Sequence, residues 1–274
     1  MTAINIVAQP KFGCIHIATD AAIYETGIGV TSFSAKVFPI PHLSAVITGV
    51  GARNPIFAFA SVLSMTTAAE NTSFDAMIAA APAVLPALAQ SCEWPLGSQI
   101  NIAGLSETRG PESYVFRIGD DLPVTVTRDE AEASPYWGAP GQLFLLPNEI
   151  STPGAAFSDI IASDYEGIDV DDDPEIVIWQ MRKLLELQRQ LAWSISHGAV
   201  GGFGQITTIS ADGITQRMLQ RWPDAAGAGD IFPAPIDWKQ WHLDNPKPGS
   251  MSRLKRSIFE RKAAKRTMPL HLVQ

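Results

Sequence analysis

The stretch TAINIVAQPKFGCIHIATD, residues 2–20, decides the fold. Ile4, Ile6 and Ala8 recur at period two, with Asn5 and Gln9 between and after them, although Val7 blurs the alternation. Pro10–Gly13 supplies turn chemistry. Cys14–Ala18 is extended again, with Ile15 and Ile17 on one face and His16 on the other. Two period-two runs joined by a Pro/Gly turn make a β-hairpin at the start of the chain, returning to Thr19-Asp20.

Downstream, Lys36–Ile40 reads as a third extended piece, which leads through Pro41 into Ser44–Thr48 and closes on Gly49 and Gly51. Asn54 before Pro55 reads as an N-cap and N1 proline, opening a helix to about Thr67. Ser73 opens a second, Ala-rich helix to about Leu88, with Pro82 and Pro86 as breaks or kinks. Strands return at Gln99–Leu105 and Tyr114–Ile118, whereas Asp129–Asp173 carries no clear period. Asp173-Pro174 caps the longest helix, roughly Glu175–Ser196, whose apolar face runs Ile178, Met181, Leu184, Leu185 and Leu191. Gly201 and Gly202 follow it, and Gln205–Ile209 with Ile214–Leu219 form a hairpin turning at Asp212-Gly213. Strands with helices inserted in pairs predict an α+β protein, a four-layer αββα sandwich of two antiparallel sheets flanked by helices.

The composition shifts after Trp222, so two parts are expected: a folded body over residues 1–222 and a Trp/Pro-rich arm with a basic helix over 223–274. Of the 274 residues, 46% are hydrophobic and 18% charged, which excludes a disordered or low-complexity chain. No apolar run reaches the length of a membrane span, and the start lacks the basic and apolar segments of a signal peptide. Cys14 and Cys92 form no ligand or redox motif and suit a reducing compartment, so a soluble cytoplasmic protein is expected, with neither metal nor cofactor. The net charge of −8 hides an asymmetry. From Pro223 onward nine Lys/Arg oppose five acids, a net of +4, which leaves −12 for residues 1–222. A body this acidic repels phosphate backbones, so nucleic acid is excluded as a partner except through the tail.

The chemistry starts at Thr2. Removal of Met1 before a small residue leaves a free N-terminal threonine, whose α-amine can take the proton from its own hydroxyl. Asp20 ends the returning strand of the hairpin, Lys36 lies sixteen residues beyond it, and Ser44-Ala45-Val46-Ile47-Thr48-Gly49-Val50-Gly51-Ala52 follows. In this order and spacing the chain resembles the proteasome β-subunit family of N-terminal nucleophile (Ntn) hydrolases, which includes the peptidase subunit of the bacterial two-component ATP-dependent protease. The resemblance covers most of residues 2–220, with Gln99–Ile118 similar to the family's next hairpin and Ser196–Leu219 to its last helix–strand–strand passage.

What the resemblance implies is a threonine-type peptidase acting through an acyl-threonine intermediate. Thr2 would be nucleophile and base, Lys36 would ease its deprotonation, and Asp20 would fix Lys36; these three are the candidate catalytic set. The Gly49 N–H would stabilise the oxyanion. It also implies a peptide or small amide substrate, a homo-oligomeric ring or stack, and an ATPase unfoldase as partner.

The sequence departs from the family pattern at Ser196-His197-Gly198-Ala199-Val200-Gly201-Gly202, where an aspartate before Gly-Gly is missing. It also departs at Ala3, at the loosely fitting Ser134–Gly138, and in the basic tail. Ser196 and His197 remain as candidates for the supporting shell, although His197 equally suits a cation on the terminal carbonyls of its helix. The acidic run Asp164–Asp173 lacks calcium-loop spacing and reads as a solvated loop and helix cap. Ser250–Arg266 reads as a basic amphipathic helix, with Met251, Leu254 and Ile258 at helical spacing. A catalytically inactive structural or assembly protein, and a small-molecule amidase, are the alternatives.

Overall fold

The computed structural model describes residues 3–25, 28–51, 53–70, 72–91, 98–118, 143–145, 148–150, 162–195, 200–227, 229, 231 and 233–249. Two compact units are present, Met1–Pro233 and Ala234–Gln274. The division lies after Pro233 rather than at 222/223. Trp222 and Asp224 are tied into the first unit, and Gly229 bridges to Val30 within it.

The opening hairpin is present as read. β1 (Ile4–Gln9) pairs antiparallel with β2 (Cys14–Thr19), from Ile4 opposite Thr19 to Gln9 opposite Cys14. Pro10–Phe12 turns the chain as a single 3₁₀ turn, closed by Gly13 in the left-handed region. β3 (Ala22–Glu25) and β4 (Gly29–Phe33) form a small separate ribbon that the sequence did not announce. Residues 34–37 carry the chain from β4 to β5 (Phe38–Ile40), which pairs with β6 (Ala45–Val50) across a second Pro-led 3₁₀ turn.

α1 runs Arg53–Glu70 and α2 runs Phe74–Ser91. α1 starts one residue before Asn54, so Asn54 and Pro55 lie inside its first turn. A proline is tolerated there because the first four N–H groups of a helix have no internal acceptor. α2 continues through Pro82 and Pro86 instead of breaking. Phe74, Met77, Ile78, Ala81 and Leu85 hold it in the apolar core, and their burial outweighs the roughly 3 kcal/mol that an interior proline costs. β7 (Ser98–Ser106) and β8 (Gly110–Ile118) form the expected hairpin. Short strands β9 (Leu143–Leu145) and β10 (Asn148–Ile150) come from the stretch without legible period. α3 (Pro174–Ile195) is capped by Asp173, whose carboxylate accepts the Glu175 N–H at 2.9 Å. β11 (Phe203–Ser210) and β12 (Gly213–Arg221) close the unit.

Both large sheets are antiparallel throughout, in the orders β10-β1-β2-β11-β12 and β5-β6-β7-β8-β9, so the mixed α+β class with antiparallel sheets is borne out. Strand alternation sorts the side chains into three cores. Ile4, Ile6, Ile15, Ile17 and Ile209 of the first sheet meet Val46 and Ala103 of the second. Val7, Ala18 and Ile206, on the opposite face of the first sheet, pack with Val177, Ile178, Met181 and Leu185 of α3. Ile47, Ile100, Ile102 and Phe116 of the second sheet pack with Phe59 of α1 and Phe74 of α2.

Polar pairs are satisfied within this packing. Asn5 and Gln188 exchange two side-chain hydrogen bonds of 2.9 and 2.8 Å beneath α3. Gln9 donates both amide hydrogens to the Val170 and Asp172 carbonyls, so its Oε1 must accept from His16 Nε2–H at 3.0 Å. His16 Nδ1 then accepts the Thr208 hydroxyl at 3.0 Å.

In the second unit α4 (Trp238–Asp244) is capped by Asp237, which accepts the Gln240 N–H at 3.0 Å. Trp238 and Trp241 meet edge to face on it at 5.8 Å. The basic segment Ser250–Arg266, like Cys92 and Leu191, lies outside the described side chains. No helix among the described residues is long and apolar enough to cross a membrane.

Candidate functional site

Three segments distant in sequence meet at the open end of the β1–β2 hairpin. Antiparallel pairing brings the start of β1 beside the end of β2, so Ala3 and Asp20 are neighbours by construction. Ala3 donates its N–H to Asp20 Oδ1 at 3.1 Å, and its carbonyl accepts the Asp20 N–H at 3.4 Å. Lys36, in the link between β4 and β5, reaches the same carboxylate oxygen at 2.7 Å. The other oxygen, Oδ2, accepts from Ala22 N–H at 3.0 Å and from Gly201 N–H at 3.2 Å.

Asp20 therefore receives four donors, two on each oxygen, and only 1% of the residue is exposed. A carboxylate taken out of water is tolerated because its lone pairs are filled and a cation faces it. Lys36 is 8% exposed. Burial pushes its ammonium below the ordinary lysine range, and the charge and hydrogen bond of Asp20 oppose that shift. The outcome is a buried cation facing a carboxylate whose lone pairs are filled.

The structure thus brings together Asp20 and Lys36 of the expected set. Thr2, Ser196 and His197 lie outside the described residues. Gly49 lies on β6, opposite Ile100 of β7. A Cβ there would collide with the Gln99 carbonyl and come within 2.9 Å of Ile56 Cδ1, so the close strand crossing demands glycine. β5 pairs only with Ala45–Ile47, and residues 48–50 of β6 run past its end.

The sequence did not reveal the amide donors around Asp20, since any residue supplies a backbone N–H. The Gly201-Gly202 pair after the long helix was the only visible trace of them. Also unforeseen was a second buried pair beside the first. Arg189 of α3 forms a two-pronged bond with Asp224, Nη1 to Oδ2 at 2.7 Å and Nη2 to Oδ1 at 2.6 Å. Arg189 Nη1 also donates to the Val200 carbonyl at 2.9 Å, and the guanidinium lies 4.9 Å from the Trp222 ring centroid.

Elsewhere, Cys14 is a free thiol that burial pushes above its usual range, and it stands 3.5 Å from His16 Nε2. No group of three or more His, Cys, Asp or Glu among the described residues could hold a metal ion. The acidic stretch serves the backbone instead: Asp169 accepts the Asp171 N–H at 2.9 Å, and Asp173 caps α3. Set against known proteins, the chain matches no family model, and no curated protein is significantly similar to it.

Proposed function

We propose that the chain is a threonine-type Ntn hydrolase of the proteasome β-subunit class, a peptidase that cleaves amide bonds once Met1 is removed. The observation that carries this reading is the buried Lys36–Asp20 pair, held at 2.7 Å on the carboxylate oxygen that also binds the Ala3 N–H. Ala3 N is bonded to the carbonyl carbon of Thr2. The charge pair therefore lies one peptide unit from the residue that would be nucleophile, in a protein whose N-terminal strand runs inside a sheet. A structural lysine at a strand end needs neither this burial nor this partner.

The four-layer αββα sandwich belongs to the same proposal and is supported by the three apolar cores. One lies between the sheets, one between the first sheet and α3, and one between the second sheet and α1 and α2.

In the reaction the free α-amine of Thr2 takes the proton of its own hydroxyl, and Oγ forms a bond to the substrate carbonyl carbon. The Lys36 charge lowers the cost of the developing alkoxide, and Asp20 keeps the ammonium in place. Collapse of the tetrahedral adduct breaks the C–N bond, and the leaving amine takes the proton held by the α-amine. Water, deprotonated by the same amine, then hydrolyses the acyl ester and restores the hydroxyl. The stretch of β6 beyond the end of β5 offers a place for an extended peptide, with the Gly49 N–H as the oxyanion donor. Assembly into a homo-oligomer fed by an ATPase unfoldase is part of the same reading.

The test is N-terminal sequencing combined with hydrolysis of a fluorogenic peptide panel by the wild type, Thr2→Ser and Thr2→Ala. The expected result is a mature chain starting at Thr2, activity in the wild type, weak activity in Thr2→Ser and none in Thr2→Ala. Equal activity in Thr2→Ala would overturn the reading. The specific observation that favours an inactive assembly protein instead is the lack of an aspartate in residues 196–202.

A further inference from the structure

The Gly201-Gly202 dipeptide has every backbone polar group engaged. Gly201 N–H goes to Asp20 Oδ2 at 3.2 Å, and the Gly201 carbonyl accepts Ala21 N–H and Phe203 N–H, both at 3.1 Å. Gly202 N–H goes to Asp224 Oδ2 at 2.7 Å, and the Gly202 carbonyl accepts Trp222 N–H at 3.0 Å. Two consecutive amides are therefore gripped by two different carboxylates. One belongs to the Lys36 pair, and the other is held by Arg189.

Nothing in this dipeptide is free to adjust. Gly202 has φ +76°, a conformation that costs a side-chain-bearing residue energy, and a Cβ would also strike the Phe33 ring. Residues 196–202 contain no carboxylate of their own, so the acceptor for Gly202 comes from beyond β12. Asp224 is aimed by the planar two-pronged guanidinium, which a lysine could not reproduce. The guanidinium in turn is fixed by the Val200 carbonyl and the Trp222 face, and Trp222 donates its indole N–H to Glu186 at 3.2 Å. Both charged side chains of the pair are 6% exposed.

We propose that Arg189 and Asp224 are positioning residues for the Asp20–Lys36 centre, acting through the Gly202 and Gly201 amides. The inference rests on the reading of that centre as the charge pair of a Thr2 hydrolase. It assigns the pair a task beyond holding α3 to the segment after β12, because the last donor in the chain of contacts sits on Asp20 itself. Loss of the grip on Gly202 would let the dipeptide move, withdraw the Gly201 N–H from Asp20 and admit water beside Lys36.

Two double variants of the full-length protein separate this role from simple stability. Arg189→Met/Asp224→Asn removes both charges and keeps an amide oxygen for Gly202. Arg189→Met/Asp224→Leu removes the charges and the acceptor together. Replacing a whole buried ion pair by neutral or apolar groups is tolerated far better than removing one partner. Two readouts are taken on each protein whose thermal unfolding is cooperative. One is the second-order rate of labelling by a threonine-reactive epoxyketone across pH, and the other is the titration midpoint of Lys36 by ¹³Cε NMR.

The Leu variant is expected to label at least about 10-fold more slowly, with the Lys36 midpoint moved up toward the ordinary lysine value as its site hydrates. The Asn variant is expected to stay within about 3-fold, with an unmoved midpoint. Should the Leu variant fail to fold, Arg189→Lys replaces it, with a smaller change in the same direction expected.

A reactive wild type and a Leu variant with unchanged labelling and midpoint would overturn the positioning role and leave the hydrolase reading standing. Equal losses in both double variants would also overturn it. A wild type inert to the probe, with the Lys36 midpoint still displaced in the Leu variant alone, would support the positioning role and sink the hydrolase reading.

Discussion

Asp20 and Asp224 are two buried carboxylates of one protein, each paired with a cation and each holding one amide of the same glycine pair. What differs is the cation. Arg189 binds with a fixed fork and stacks on Trp222, so that pair makes a rigid joint. Lys36 meets one oxygen of Asp20 with a compact ammonium that burial destabilises, and the rest of the carboxylate is filled by backbone amides. The same pairing of opposite charges thus gives a forked, stacked joint in one place and a compact cation on a single carboxylate oxygen in the other. The difference lies in the partner side chain, not in depth.

The largest expected effect separates the two cations by activity. Lys36→Ala should lower peptide hydrolysis by about 10³-fold or more, the loss typical of a group in the reacting unit. It should also destabilise the fold by about 3–5 kcal/mol, because Asp20 is left buried and unpaired. Arg189→Met should cost a similar 3–5 kcal/mol in urea unfolding, with a far smaller loss of activity per folded molecule. Equal activity losses in the two variants would erase the distinction between joint and reacting pair.

A third buried titratable group sharpens the comparison by having no charged partner in hydrogen-bond reach among the described residues. His16 sits among Gln9, Cys14 and Thr208, and burial pushes its imidazole down to about 4, with Glu175 opposing and Arg217 adding to the shift. The unfolded chain takes up a proton near pH 6.5, which the folded protein refuses until about pH 4. Stability should therefore be full above pH 6.5 and fall by about 3 kcal/mol as pH drops through that window. Urea titrations of His16→Gln should lack that part of the slope; an identical slope would show that His16 is not buried neutral.

The smallest effect is expected where a carboxylate grips two consecutive amides in the open. Glu107 accepts Phe74 N–H at 2.8 Å and Asp75 N–H at 2.9 Å at the start of α2, with an exposed side chain and no ion pair among the described residues. Glu107→Ala should cost about 1 kcal/mol of stability, as for other helix-start acceptors, and leave hydrolysis unchanged. A cost as large as that of Arg189→Met would mean that the amide grip, and not burial of the charge pair, sets the energy at Asp224.

What the sequence made legible follows the range of the forces involved. The β1–β2 hairpin, the β11–β12 hairpin at Asp212-Gly213 and the Asp173-Pro174 helix start are local, so alternation and turn chemistry reveal them. The β3–β4 ribbon was missed because its hold is remote: Val30 N–H is satisfied by the Gly229 carbonyl at 2.9 Å. The extent of α2 was legible, but Pro82 and Pro86 read as breaks or kinks because local propensity was weighed without the sheet that Phe74, Met77 and Leu85 pack against.

At the site, Asp20 and Lys36 were singled out through the family resemblance that their order and spacing carry, and they meet. Arg189 and Asp224 were not, because a two-pronged pair 35 residues apart on different elements leaves no periodic trace. The boundary placed at 222 has the same origin, since the composition changes there while the ion pair reaches past it.

The most direct measurement is the intact mass of the purified protein before and after an epoxyketone probe, with the adduct located by N-terminal fragmentation. The expected result is a chain lacking Met1 that gains one probe at Thr2, with the gain abolished in Lys36→Ala. A chain that retains Met1, or a free Thr2 that stays inert to the probe, would contradict the hydrolase assignment and leave the two ion pairs as architecture.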